Sequence, residues 1–155
     1  MTESLPLAGR HAAVVGAVDA LARAVAVALA EAGALVSTTT LSADEQQLFY
    51  ANSILNEAWA LGRAGAAITI EGTSVQGLAD ALDSLERQSG KLDIIVLMPG
   101  TPVGELDEPL GSRADARLVR VRQAPAGYAV GLVPSPEETL SSAETLPAAV
   151  LAVAQ

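Results

Sequence analysis

The chain contains no cysteine. Disulfides, thiolate catalysis and cysteine-based metal sites are therefore excluded. Histidine occurs once, as His11, so no histidine pair can hold a metal within one chain, and no metal site is expected. Aromatic residues make up only 3% of the chain although 50% of it is hydrophobic. The core must then be aliphatic and finely packed. Basic residues are also scarce. Nine Lys and Arg stand against 18 Asp and Glu, for a formal net charge of −9. Without a basic face, neither a nucleic acid nor an anionic membrane surface is an expected partner, and the acidity reads as solubility. No apolar run reaches the ~18 residues of a membrane span. The opening MTESLPLAGR has no basic flank followed by an apolar stretch, so it does not read as a signal peptide, and a cytoplasmic location is the expectation.

What is present is regular. The 155 residues fit one domain with a single core. His11 to Val15 reads as a short buried strand. Asp19 is placed to cap a helix of good helix formers from Leu21 to Ala32, with Gly33 at its C-terminal stop. Leu35 to Thr39 reads as a second strand. Ser42 or Asp44 then caps a long helix reaching about Ala64, with Leu48, Ile54, Leu55, Trp59 and Leu61 as candidates for its apolar face. Ala66 to Ile70 is a third strand. Thr73 or Ser74 caps a helix in which Val75, Leu78, Ala81, Leu82 and Leu85 recur at helical spacing, and Gly90 ends it. Ile94 to Met98 is a continuous apolar strand of the kind covered on both faces. Strands alternating with helices in this way imply right-handed crossovers and a parallel sheet. The fold class expected is α/β with a mostly parallel sheet.

Beyond Pro99-Gly100 the pattern weakens. TPVGELDEPLGSRADA reads as a loop in which Glu105, Asp107 and Glu108 form an acidic cluster, either solvated or able to hold a divalent cation. Leu118, Val119 and Val121 alternate with Arg117, Arg120 and Arg122, as in a strand guarding a sheet edge. Those arginines could also receive an anion, or pair with the acidic loop of a neighbouring subunit. Tyr128 to Val133 is another strand candidate. PSPEE precedes a C-terminal helix, where Thr145 as cap puts Pro147 in the tolerated first turn. His11 reads as an edge residue at the start of its strand, since no convergent partner is identifiable. Phe49, Tyr50 and Trp59 hold most of the aromatics on one helix. Exposed, they would mark an interface; buried, they would be core. The sequence leaves both open.

Three stretches resemble one family. LAGRHAAVVGAVDALARAVAVALAEAGALV, GKLDIIVLMPG and PSPEETLSSAETLPAAVLAVA are similar to landmarks of the short-chain dehydrogenases/reductases. The first corresponds to a Gly-Lys/Arg leader, a strand and Thr-Gly-x-x-x-Gly-x-Gly; the second to Gly-x-Leu-Asp, an apolar strand and Asn-Asn-Ala-Gly. The resemblance covers roughly residues 5–110 and more loosely 117–154. It implies a single Rossmann-like domain of three αβα layers, strand order 3-2-1-4 followed by a late strand or hairpin: a nucleotide-binding half at 1–110, an apparent internal deletion at 111–116, and late strands with a C-terminal helix at 117–155. It implies NAD or NADP as cofactor. In this chain the residual, weakened contacts would fall on Gly16, Val18, Asp19, Leu21, Thr40 and Gly100.

Several family positions are altered. The second and third glycines of the turn fall on Ala20 and Ala22, and Asp19 sets a carboxylate where a helix N-terminus attracts phosphate. The second strand ends in Thr38, Thr39 and Thr40, without the family's acid or Arg. Leu97, Met98 and Pro99 replace Asn-Asn-Ala. The family's Tyr-x-x-x-Lys pair has no counterpart: Ile54 and Leu132 follow Tyr50 and Tyr128 at the required spacing, and the sole lysine is Lys91. No catalytic residue is assigned. The expectation is a non-catalytic relative acting as an oligomeric scaffold or as a small-molecule or nucleotide-binding module. The alternatives are an NAD(P)-dependent oxidoreductase completed by a partner chain and a purely structural interaction module. Because the resemblance implies that interface helices are missing, homo-oligomerisation is expected. On sequence grounds Gly16→Val is expected to abolish nucleotide binding and leave the fold intact if the family's site is the one used.

Overall fold

The computed structural model describes residues 5–16, 19–40, 45–70, 75–99, 116–132 and 137–155. One seven-stranded sheet forms its middle layer. The order along the chain is β1 (His11–Val15), α1 (Ala20–Glu31), β2 (Leu35–Thr40), α2 (Glu45–Ala60), β3 (Ala64–Thr69), α3 (Val75–Ser89), β4 (Ile94–Leu97), β5 (Arg117–Ala124), β6 (Gly127–Leu132), β7 (Thr139–Ser141) and α4 (Leu146–Ala154). Across the sheet the order is β3-β2-β1-β4-β5-β6-β7. The first five strands in that order run parallel, and β6 and β7 add an antiparallel meander. This is the expected Rossmann-like α/β architecture.

Strand alternation divides the core in two. Ala12, Val14, Val36, Ile94, Val96, Val119, Val121 and Val130 face α1, α2 and α4. Ala13, Val15, Ile95 and Leu97 face the other way and meet α3 through Leu78, Leu82 and Leu85. Small alanines let α1 approach closely: Ala22, Ala26 and Ala30 are buried beside Val25 and Leu29. Gly33 ends that helix at φ +112°. A Cβ there would meet the backbone nitrogen of Ala8 at 2.8 Å, so the leader can fold back over this corner only because the residue is glycine. Leu7 seals the same corner, with its amide donating to the Ala32 carbonyl at 2.8 Å.

Four expectations need correction. The second helix ends at Ala60, not near Ala64, because Leu61 and Gly62 turn the chain and Ala64 onward pairs with β2. Its inner face is Ala51, Ile54 and Ala58, whereas Leu48, Trp59 and Leu61 are exposed. The arginine-bearing strand is not an edge: β5 lies between β4 and β6, and the three-residue β7, too brief to read in the sequence, closes that side. His11 is no edge residue either. It sits in β1, a central strand, and is buried. The cap candidates Ser42, Asp44, Thr73 and Ser74 and the acidic cluster Glu105, Asp107 and Glu108 lie outside the described residues. No described helix is long and apolar enough to cross a membrane.

Arg122 reaches over β6 to Glu138, donating from Nε and Nη2 at 2.8 and 2.7 Å. That hydrogen bond, together with the guanidinium charge, holds the Glu138 carboxyl below the usual carboxylate range. A lowered folded value means the pair stabilises at pH above the unfolded glutamate's titration and is lost as pH falls through the folded value. Below about pH 4 the amides of β7 are therefore expected to lose their folded chemical shifts before those of β1. In Glu138→Gln that difference between strands should no longer depend on pH.

Candidate functional site at the carboxyl end of the sheet

In open parallel sheets, ligands lie beyond the strand carboxyl ends, where successive crossovers diverge to opposite faces. Here β1 is that point: β2 lies on one side of it and β4 on the other. The chain leaves β1 through Gly16, which is buried and takes φ +118°. Its amide donates to Thr39 Oγ1 at 2.9 Å. A valine in that backbone conformation is strained by roughly 1–3 kcal/mol, so Gly16→Val cannot be expected to leave the fold untouched.

Asp19 caps α1. Its Oδ1 accepts from the Ala22 amide at 2.8 Å, and the residue is exposed. One N-terminal amide of the helix is thus already taken by an anion. Leu21 is half-buried on the first turn. Thr40 is buried, and its Oγ1 lies 2.9 Å from Thr69 Oγ1. Val18 and Gly100, the other two expected contacts, lie outside the described residues. Leu97 and Met98 are 1% and 4% exposed. They pack into the cores on opposite sheet faces, so the positions that resemble the family's paired amides here supply packing.

The hydroxyls of β2 were missed as a group. Ser37, Thr38, Thr39 and Thr40 are all buried, and each has a partner, as buried polar groups require. Thr38 donates to the Val14 carbonyl at 3.1 Å. Ser37 Oγ accepts from the Ala66 amide at 3.0 Å, across the bulge where β2 and β3 shift register, and lies 2.7 Å from His11 Nε2. A run of four hydroxyls in a strand was the available signal.

Measured against a dinucleotide, this donor set fits poorly. The first glycine of the turn and the helix N-terminus are kept. The carboxylate of Asp19 opposes a pyrophosphate, the threonine hydroxyls near the turn are engaged with the protein, and no amide side chains stand at the end of β4. At the same end of the sheet β5 runs on past its last pairing with β4, Leu97 with Arg120, to Ala124. At the tip of that overhang Pro125, Tyr128, Leu140 and Ser142 line an apolar cleft of about 500 Å³.

Sheet order, crossover pattern and the positive-φ Gly16 after β1 define a Rossmann-like α/β fold. No family model matches the chain. A cyclohexanol dehydrogenase of Rhodococcus sp. (strain TK6) is 30% identical over 128 residues, covering 78% of this chain and 47% of that protein. Among solved structures, a putative short-chain alcohol dehydrogenase from Sinorhizobium meliloti 1021 superposes with a TM-score of 0.52 at 30% identity, over 61% of this chain and 35% of that one. A short-chain dehydrogenase/reductase from Serratia marcescens gives 0.51 at 26% identity, over 59% and 36%. A blue fluorescent protein from a metagenomic library, solved with NADPH, gives 0.52 at 28% identity, over 58% and 36%. The chain therefore spans about half the length of the curated relative and about a third of these structures. It belongs to the short-chain dehydrogenase/reductase family.

Proposed function

We propose that this chain is a non-catalytic member of its family, a self-associating module that keeps a degraded dinucleotide site. The observation that carries this reading is the state of the α1 N-terminus: the first glycine of the turn, Gly16, is kept with its positive φ, but Asp19 occupies the helix amide that a phosphate would use. The relative solved with NADPH supports a nucleotide as the ligand class to test first. The absence of Tyr-x-x-x-Lys from this sequence supports the non-catalytic part. A second reading, an oxidoreductase whose chemistry a partner chain completes, is favoured only by the dehydrogenase names among the relatives.

Titration calorimetry with NADH and NADPH, beside light scattering for mass, separates these. Binding weaker than about 100 μM by a self-associated chain, with no turnover of alcohols, supports the proposal. Turnover on adding a partner supports the second reading. No binding up to millimolar nucleotide would remove the dinucleotide part of the proposal.

A further inference from the structure

Among the described residues, large exposed apolar side chains gather on α2. Phe49 is 65% exposed, Trp59 76% and Leu48 43%. The chain has one Phe and one Trp, and neither enters the core. Because Ala51, Ile54 and Ala58 face inward, the residues Phe49, Asn52, Asn56 and Trp59, spaced by three and four, form a stripe down the outer face of the helix.

That stripe is symmetric about Ile54. Phe49 and Trp59 lie five residues to either side of it, and Asn52 and Asn56 two. A twofold axis at Ile54 would bring a second α2 antiparallel to the first. Phe49 of each copy then meets Trp59 of the other, and Asn52 meets Asn56. An amide side chain both donates and accepts, so two of them pair without any other group and fix the register. Charge also favours a second copy. From Gln46 to Asn56 the helix carries no ionised side chain, and Glu57, at the flank, is held by Arg23 at 3.1 Å. A chain of net charge −9 can meet itself here without setting like charges together.

We propose that the outer face of α2 is an isologous dimer interface. The proposal rests on the self-association put forward above and names its surface. Four rings at about 150–250 Å² each, roughly two-thirds exposed, contribute on the order of 500 Å². Leu48 and the flanking side chains bring the contact toward the ~1,200 Å² lower bound of specific interfaces. A contact of this size is at the low end of specific interfaces, so the dimer is expected to be reversible.

Trp59, the sole tryptophan, reports on this surface directly. Sedimentation velocity and tryptophan emission should be followed together from about 1 to about 200 μM for the natural chain, Phe49→Glu and Trp59→Glu. Expected are a monomer–dimer shift in mass and a blue shift of emission with concentration in the natural chain. Phe49→Glu, which keeps the fluorophore, should lose both, with dimerisation weakened at least tenfold and an unchanged thermal melt, since the side chain is exposed. Trp59→Glu should likewise sediment as monomer. An oligomer of undiminished affinity in both variants would overturn this surface and keep self-association. A natural chain monomeric at every concentration would overturn both.

Discussion

Replacing His11 with alanine is expected to cost about 3–5 kcal/mol, a large share of the roughly 5–15 kcal/mol of an ordinary domain. The imidazole joins three elements distant in sequence. Nδ1 lies 2.9 Å from the Gly90 carbonyl, and Nε2 lies 2.7 Å from Ser37 Oγ. A carbonyl can only accept, so Nδ1 donates to it, and in the neutral ring Nε2 accepts from the Ser37 hydroxyl. Ser37 in turn accepts from the Ala66 amide, which has no ladder partner at the bulge. The chain of bonds thus runs from β3 through β2 and β1 to the C-terminal end of α3. Removing the ring leaves the buried Ser37 hydroxyl without it, at about 1–3 kcal/mol, and opens a cavity, while at the exposed Gly90 water replaces the lost bond. Ser37→Ala is expected to cost less, about 2 kcal/mol, and the double variant less than the sum. Urea unfolding of the four proteins checks this. A loss under about 1 kcal/mol for His11→Ala, or strict additivity, would show that the bonds are incidental.

This relay also marks where the sequence stops being readable. Parallel strands and their helices are written locally. The alternation around Val14, the cap at Asp19 and the stop at Gly33 each depend on neighbours a few residues away. The partners of His11 are 26 and 79 residues distant. No spacing rule brings them together, so a central buried histidine reads as a strand start. The late hairpin is legible, but its place in the sheet is not, for a related reason. Arg117, Arg120 and Arg122 look like edge-guarding charges, yet their strand gains a neighbour because β6 folds back on it, and β7 has only three residues with which to announce itself. At the site, the changes to the glycine turn are local and legible. The positions of Leu97 and Met98 in two separate cores are not, because apolar residues at a strand end could as well have lined a ligand.

Asp19→Ser is expected to raise the affinity for NADH and NADPH about tenfold, or about 1.4 kcal/mol. Serine caps a helix about as well as aspartate, so α1 should keep its Ala22 amide bond and the melting temperature should hardly move. What changes is charge. The carboxylate sits at the helix N-terminus, where the partial positive charge of the backbone would favour a phosphate, and it repels a second anion there. Like charges a few ångströms apart near a surface repel by a few kcal/mol at most, less when screened, which sets the tenfold scale. Salt gives an independent check. In the natural chain screening relieves a repulsion, so nucleotide affinity should fall less steeply between low and high ionic strength than in Asp19→Ser. Restoring amides at Leu97 and Met98 is not an equivalent experiment, because both side chains are buried and a polar group there lacks a partner. If Asp19→Ser leaves affinity and its salt dependence unchanged, any nucleotide bound by this chain lies away from the Gly16 turn, and the retained strand, turn and helix serve the fold alone.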